Sequence, residues 1–244
     1  MVIFNENKLL LLLSLLFFIF CIVLIVLFYS NFSNIKNSRI INTSSTPASG
    51  HTIIIDAGHG FPDGGATGKD GSIESEINLS ISLKLQKYLE ASNCIVLLTR
   101  SDENGIYDQD ARSIRNKKIS DMENRAELAN NSNSELFISI HMNKLPQTQY
   151  SGWQTFYKNN DELSKRLAEY IQYNMNYYLE ENNSRKIKSI SNIYLTEHVN
   201  IPLVIVECGF LSNEKENKLL QTDSYQNKIA WCIYLGIMDY FKEK

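Results

Sequence analysis

Residues 53–60 read IIIDAGHG, and a similar arrangement returns at residues 137–143, which read FISIHMN. Each stretch is a short apolar run followed by a histidine. A third run, Val204-Ile205-Val206, is followed by Glu207. Short β-branched runs of this kind are typical of strands that are buried on both faces of a parallel sheet. These three stretches therefore predict the centre of an α/β sheet.

The rest of the chain from Thr52 onward alternates strand-like and helix-like segments. In Ser75–Ala91, apolar residues recur every four positions with charged residues between them, as in an amphipathic helix. Such alternation implies a single α/β domain with a mostly parallel, mixed central sheet flanked by helices. No repeat of 20–50 residues occurs, which excludes a solenoid. The predicted strands are Thr52–Ile55, Cys94–Thr99, Leu136–Ile140, Trp153–Tyr157 and Leu203–Val206, and the predicted helices are Ser75–Ala91, Asp121–Asn130, Leu163–Leu179 and Tyr225–Phe241.

The N-terminal part of the chain has a different composition. In Leu9–Phe28 only Ser14 and Cys21 lie outside the large apolar set, and about twenty such residues span a bilayer core. A cleavable signal peptide has a shorter apolar run of roughly 7–15 residues and an A-x-A-like site, so we expect an uncleaved transmembrane anchor, with a cleaved signal as the alternative. Residues 1–8 then form a short leading segment, residues 29–50 a flexible linker, and residues 51–244 the catalytic domain.

Charge and cysteine content exclude two classes of protein. The net charge of the 244-residue chain is −3, and residues 51–244 are acidic with no basic run, which argues against a nucleic-acid partner. Four cysteines are present, of which Cys21 lies in the N-terminal apolar run. Cys94, Cys208 and Cys232 lie in apolar stretches, so we expect buried free thiols rather than a disulfide framework.

Chemistry-bearing side chains follow the predicted strands. In open α/β sheets, the edge at which parallel strands end holds the ligand crevice. His59, His141 and Glu207 fall at that edge, and Glu74 begins a helix after a glycine-rich loop. Two neutral imidazoles and one carboxylate can bind zinc and leave one tetrahedral position open, while a further carboxylate can act as general base. One such residue is more often a hydrogen-bonded loop residue, but the coincidence of four predicts hydrolytic zinc chemistry.

The remaining candidates have structural interpretations. We expect His51 to be solvated at the linker junction, and His198 to lie in a loop unless it faces the substrate. Strand alternation turns Cys208 away from Glu207, so we expect its thiol to be buried and unreactive. The glycine-rich loop contains no phosphate-binding motif, which predicts that its glycines allow tight backbone turns around the metal site.

Six motifs follow one another along the domain: Asp56–Gly60, Glu74–Leu79, Leu98–Arg100, Asn124-Arg125 with Asn130, Ser139–Asn143 and Val206–Asn213. In this order they resemble the motifs of the zinc-dependent N-acetylmuramoyl-L-alanine amidases of the family called amidase type 3. The resemblance covers residues 51–244 and implies His59, Glu74 and His141 as zinc ligands and Glu207 as the catalytic carboxylate. It also implies a substrate-side or structural role for Arg125, and leaves Asn143 and Arg185 as candidates for either role. The family more often has other residues at Ala57, Met142 and Cys208, and Arg185-Lys186 stands where an Arg-Gly pair is common.

Within that family, the N-terminal anchor, the absence of wall-binding repeats and the segment 114–118 (IRNKK) are most similar to the sporulation amidases. Such enzymes remove stem peptides from the peptidoglycan of the spore cortex, so that a partner deacetylase can form muramic-δ-lactam. The resemblance implies membrane attachment through the N-terminal helix, a catalytic domain in the forespore intermembrane or cortex space, and an activating or stabilising protein partner. The sequence leaves open a zinc peptidase or deacetylase acting on the cell wall, and a membrane-anchored peptidoglycan-binding protein with an idle site.

Overall fold

The computed structural model describes residues 13, 15–20, 22–23, 46–179 and 183–243. The chain divides into two compact units, Met1–Ser44 and Ser45–Lys244. The described residues of the first unit are helical, and no helix in the described part of the chain has the length and apolar character needed to cross a membrane. Most of the predicted anchor Leu9–Phe28, and residues 29–45 of the predicted linker, lie outside the described residues.

A six-stranded mixed sheet forms the centre of the second unit, in the order β2-β1-β3-β6-β4-β5. Strands β1, β2, β3 and β6 are parallel, whereas β4 runs antiparallel to β6 and parallel to β5. The apolar runs that predicted the sheet are its inner strands β1, β3 and β6, which confirms a mostly parallel, mixed sheet. The strands are β1 Thr52–Ala57, β2 Ile95–Leu98, β3 Leu136–Asn143, β4 Gln154–Lys158, β5 Lys188–Ile190 and β6 Leu203–Phe210.

Helices cover both faces of this sheet. On one face, α1, α3 and α6 bury the larger core, which includes Ile53, Ile138 and Val206. On the other face, α2 and the short helix α4 cover a smaller core, which includes Ile54 and Phe137. The helices are α1 Glu74–Ala91, α2 Ile114–Asn131, α3 Glu162–Tyr178, α4 Tyr194–His198, α5 Glu214–Leu220 and α6 Asp223–Lys242.

Several elements differ from the prediction. Helix α2 begins at Ile114 rather than at Asp121, because the Ser113 hydroxyl accepts a hydrogen bond from the Asn116 N–H and caps the helix there. Strand β5 and the short helices α4 and α5 were not predicted, since a few residues carry no periodicity. His198 is the last residue of α4, so its placement in a loop was wrong.

The prediction that His51 is solvated was also wrong. Its Nδ1 lies 2.5 Å from Glu135 Oε1, and its ring stacks on Phe241 with the ring centroids 4.1 Å apart. The residues just before it pack on the domain as well: Thr46 Oγ1 donates to the Ser92 carbonyl at 2.7 Å, and Ala48 is fully buried. These contacts fix the N-terminal segment of the domain at the end of the sheet where β1, β2 and β3 begin.

Candidate active site

Three of the predicted residues converge at the other end of the sheet, where the parallel strands end. Glu74 Oε1 lies 3.3 Å from His59 Nε2 and 3.0 Å from His141 Nδ1. One ligand atom from each residue lies within 4.8 Å of the other two. Tetrahedral ligands about 2.1 Å from a zinc ion are about 3.4 Å apart. The two distances from Glu74 are close to this value, and two imidazoles with one carboxylate have the chemistry of a zinc site.

The local backbone sets the position of His59. Its φ of +62° is in the left-handed region, which is uncommon for residues other than glycine and recurs at functional sites. His59 Nδ1 lies 3.1 Å from Asp63 Oδ2. A carboxylate on one imidazole nitrogen fixes the tautomer and leaves the other nitrogen available to a metal. Asp63 therefore directs His59 Nε2 toward Glu74.

Main-chain donors fix the carboxylate of Glu74 at the start of α1. The Ala66 N–H donates to its Oε2 at 2.7 Å, and the Met142 N–H donates to its Oε1 at 3.0 Å.

Burial alone would lower the pKa of His59, but hydrogen bonds to Asp63 and Glu74 outweigh burial and raise that pKa to about 9. The carboxylates of Asp63 and Glu74 therefore stabilise positive charge at His59.

Two glycines bring the backbone against these side chains. A Cβ on Gly58 would lie 2.3 Å from His141 Nε2, and a Cβ on Gly65 would lie 2.6 Å from Glu74 Oε2. Gly65 also has a φ of +71°, which glycine adopts without steric cost. The glycine-rich loop thus wraps the ligand cluster at a distance that only hydrogen on Cα permits.

Glu207 stands beside this cluster on the neighbouring strand. It pairs in register with His141, and its Oε2 is buried without a hydrogen bond from any described residue. Burial raises the pKa of Glu207, and the charge of Glu74 adds to the effect, while the two histidines oppose it. A carboxylate with a raised pKa can accept and return a proton near neutral pH.

The thiol next to Glu207 points the other way. Cys208 lies fully buried in the larger core, and burial raises its pKa well above the ordinary value. Cys94 and Cys232 are likewise buried and free, which confirms the prediction for all three cysteines of the described domain. None of these thiols is activated as a nucleophile.

A cavity of about 280 Å³ opens between α2 and α4 next to Glu207. Its lining combines polar and charged side chains with an apolar group and one half-exposed lysine. The lining includes His59, His141 and Glu207, the polar residues Asp56, Ser139 and Arg125, the apolar residues Met122, Ile193, Leu195 and Ile205, and Lys118.

Arg125 is 1% exposed and holds α2 against the ends of the central strands. Its guanidinium donates to the carboxylates of Asp56 and Asp121 and to the main-chain oxygen of His59. Burial alone would raise the pKa of Asp56, but Arg125, with smaller contributions that include the Ser139 hydroxyl, lowers it. Of the two predicted roles for Arg125, the geometry favours the structural one, because its donors are already engaged.

Asn143 and Arg185 do not reach the cavity. Asn143 ends β3, where its main-chain oxygen accepts from the Leu211 N–H at 2.9 Å. Arg185 Nε donates to the Ser151 carbonyl at 3.0 Å, and its guanidinium lies 4.6 Å from the centroid of the Phe210 ring. The sequence interpretation missed Asp63, although a carboxylate four residues after a ligand histidine is a usual support for the second imidazole nitrogen.

Comparison with known proteins fits this geometry. The family profile described as N-acetylmuramoyl-L-alanine amidase matches residues 53–239. The chain belongs to the N-acetylmuramoyl-L-alanine amidase family. The enzyme is 39% identical over 200 residues to the germination-specific N-acetylmuramoyl-L-alanine amidase of Bacillus subtilis (strain 168), a match that covers 82% of this chain and 84% of that protein.

Solved structures of amidases have the same fold. The structure of the CwlD amidase from Clostridioides difficile in complex with the GerS lipoprotein is 45% identical, with a TM-score of 0.78, over 80% of this chain and 100% of that chain. The catalytic domain of CwlV from Bacillus (Paenibacillus) polymyxa var. colistinus is 28% identical, with a TM-score of 0.68, over 80% of this chain and 99% of that domain. The amidase activity implied by the sequence is thus confirmed at the level of the family.

Proposed function

We propose that this amidase uses zinc to hydrolyse the amide bond between N-acetylmuramic acid and L-alanine in peptidoglycan. In this proposal His59, Glu74 and His141 are the zinc ligands and Glu207 is the general base. The observation that carries it is the Glu207 carboxylate, which is buried beside the ligand cluster and has an oxygen without a hydrogen-bond donor among the described residues. An oxygen left unsatisfied in a buried site is costly, and that cost is understandable where the oxygen must accept a proton.

A bound zinc ion would polarise the scissile carbonyl and lower the pKa of water in the site. The chain's own residues orient the reaction and move protons. Asp63 holds the ring of His59, and the main-chain donors of Ala66 and Met142 hold the carboxylate of Glu74. Glu207 accepts a proton at Oε2 from the attacking water, whose oxygen bonds to the carbonyl carbon. It then delivers that proton to the leaving amine of L-alanine as the C–N bond breaks. The products are a muramic acid with a free lactyl carboxylate and a peptide with a free N-terminus.

The spore cortex is the proposed location of this reaction. Similarity to the germination-specific amidase of Bacillus subtilis supports it. Removal of stem peptides would be the first step of muramic-δ-lactam formation, and a peptidoglycan deacetylase would act next. Because peptidoglycan lies outside the cytoplasmic membrane, we propose that Leu9–Phe28 anchors the enzyme with residues 51–244 in the forespore intermembrane or cortex space.

A protein partner also belongs to the proposal. The Clostridioides difficile CwlD structure contains a complex with the GerS lipoprotein, and it has 45% identity to this chain. By analogy, we propose that a partner protein activates or stabilises the present amidase. Zinc content and activity, measured with and without the partner, test this part.

Product analysis on peptidoglycan tests the reaction itself. An amidase releases peptides whose new N-terminus is L-alanine. Free acetate would identify a deacetylase, new termini at other residues would identify a peptidase, and binding without products would identify an idle site. The amidase proposal is abandoned if zinc-loaded protein yields any of these three outcomes in place of new L-alanine termini.

A variant of Glu207 tests the division of roles. Glu207→Gln keeps the shape of the side chain but cannot accept a proton, so it should retain zinc and lose about 10²–10⁴-fold in turnover. His59→Ala is the matched comparison and should lose zinc and turnover together. If Glu207→Gln loses zinc as well, Glu207 is a ligand rather than the base.

A further inference from the structure

The half-exposed lysine of the cavity has no part in the proposed chemistry. Lys118 is in the second turn of α2, within the segment 114–118 that stood out in the sequence. Its Nζ lies 2.9 Å from Asp63 Oδ1, and 51% of its side chain is exposed. It lines the same cavity as Glu207 and both histidines.

Lys118 is the cation that a ligand in this cavity can reach. The described lining contains one other lysine or arginine, Arg125, whose donors are engaged by Asp56, Asp121 and main-chain oxygens. Arg125 is 1% exposed, so it offers no free donor to a ligand.

Asp63 does not depend on the lysine. It also accepts hydrogen bonds from His59 Nδ1 at 3.1 Å and from the Gly65 N–H at 3.2 Å. Because exposed ion pairs contribute little to stability, Lys118 can turn from Asp63 to a ligand at small cost. Its flexible four-carbon stem allows such a movement.

The chemistry of the proposed substrate identifies the group that a cation would bind. The lactyl carboxyl of muramic acid is consumed in the scissile amide, and the sugar hydroxyl and acetamido groups are neutral. The first residue of the stem peptide, L-alanine, carries only a methyl group. The first free negative charge is therefore the α-carboxylate of the second residue, D-glutamate, whose γ-carboxyl continues the chain.

Distance agrees with this choice. Two extended residues span about 7 Å, so the D-glutamate carboxylate lies near the scissile bond. Only the Asp63 carboxylate lies between Lys118 and His59, a member of the ligand cluster: Asp63 is 2.9 Å from Lys118 Nζ and 3.1 Å from His59 Nδ1. We propose that Lys118 binds the α-carboxylate of D-glutamate and makes the amidase selective for stem peptides in which this carboxylate is not amidated. This inference rests on the proposed function.

Two muropeptides that differ in one group test the proposal. One contains L-alanyl-D-glutamate and the other contains L-alanyl-D-isoglutamine, in which the α-carboxylate is an amide. With the zinc-loaded full chain in detergent, we expect kcat/KM to be about fivefold higher for the free carboxylate, because an ion pair made by a half-exposed lysine contributes up to about 1 kcal/mol. The ratio of the two kcat/KM values should fall to about one in Lys118→Met and should stay at the wild-type value in Lys118→Arg.

A ratio of two substrates isolates the carboxylate contact. If Lys118→Met disturbs Asp63 or zinc binding, both kcat/KM values fall by the same factor and the ratio is unaffected. The preference should reside in KM, since the carboxylate is bound equally before and during the reaction. Lys117→Met is the matched control: its Nζ lies 4.5 Å from the centroid of the Tyr107 ring, and this variant should keep the wild-type ratio.

The outcomes are distinct. Equal kcat/KM for the two muropeptides in the wild type, or a preference that survives in Lys118→Met, overturns the inference and leaves the amidase proposal intact. If the wild type releases no L-alanine terminus from either muropeptide, the proposed function itself is overturned, and this inference with it.

Discussion

Replacing Gly58 by alanine tests whether the loop backbone sets the position of His141. The added Cβ would lie 2.3 Å from His141 Nε2 and 2.4 Å from its Cε1, whereas ordinary van der Waals contact begins at 3.4 Å. The ring or the loop must therefore move by about 1.1 Å, the difference between 3.4 and 2.3 Å. Zinc sites keep their ligand distances to within about 0.2 Å, so the required movement is about fivefold too large.

We expect Gly58→Ala to weaken zinc binding by at least about 10–100-fold, which is the usual effect of disturbing the support of a metal ligand. Amidase activity should fall in parallel. The fold should persist, because Gly58 is not among the glycines with a positive φ and alanine fits its backbone conformation. Equilibrium dialysis against buffered zinc, with metal analysis and a thermal melt on the same samples, measures both quantities.

Gly71→Ala is the matched control. Gly71 has a φ of +90°, but an added Cβ would meet no atom within 4 Å, so this variant carries backbone strain without a clash. It should keep wild-type zinc affinity at a slightly lower melting temperature. The reasoning is refuted if folded Gly58→Ala binds zinc as tightly as the wild type, because the loop would then adapt without moving the ligand.

Three further predictions follow from the same contacts. His141→Ala should reduce zinc below one ion per chain and abolish hydrolysis, since three protein ligands are the minimum for a catalytic site; stoichiometric zinc in the purified variant would contradict the assignment. The pKa of Asp56 is lowered in the folded protein, so its ion pair stabilises the fold above the unfolded pKa of about 3.9 and is lost as the pH falls through the folded value. Asp56→Asn should lower the free energy of unfolding at pH 7 by about 3–5 kcal/mol and flatten its dependence on pH in acid, and urea denaturation with an unchanged acid profile would speak against this. A chain that begins at Thr46 keeps the contacts of Thr46 and Ala48, whereas one that begins at His51 loses them. The free energy of unfolding of the second chain should be lower than that of the first by about 1–2 kcal/mol. Equal melting temperatures for the two chains would show that these contacts contribute nothing.

The inner strands and the ligand cluster could be predicted because their signals are local. An apolar run that ends in His59 or His141 indicates both a buried strand and the edge at which its last residue lies. Parallel strands then bring such residues together without further information. Glu74 needed one more step, since it lies at the start of a helix rather than at the end of a strand.

The partners of Arg125 and Lys118 could not be predicted, because these contacts join residues that are distant in sequence. Arg125 forms an ion pair with Asp56 near the C-terminal end of β1. Only the folded chain shows that the Arg125 donors are bound to this carboxylate. Lys118 contacts Asp63 because α2 begins at Ile114 and so includes Lys118. The first turns of α2 are polar and lack the apolar periodicity that would have predicted this part of the helix. The three residues of β5 become a strand only by pairing with Phe156–Lys158.

The way the chain enters the domain has a consequence for access to the substrate. Thr46 and His51 are held at the edge where the strands begin, by Ser92 and Glu135, and the ligand cluster lies at the edge where they end. The length of β1, about 20 Å for six residues, separates the two edges. A tether joined to Thr46 would therefore meet the domain about one strand length from the ligand cluster. An immobile, cross-linked substrate would be bound at the end of the sheet opposite the point of attachment.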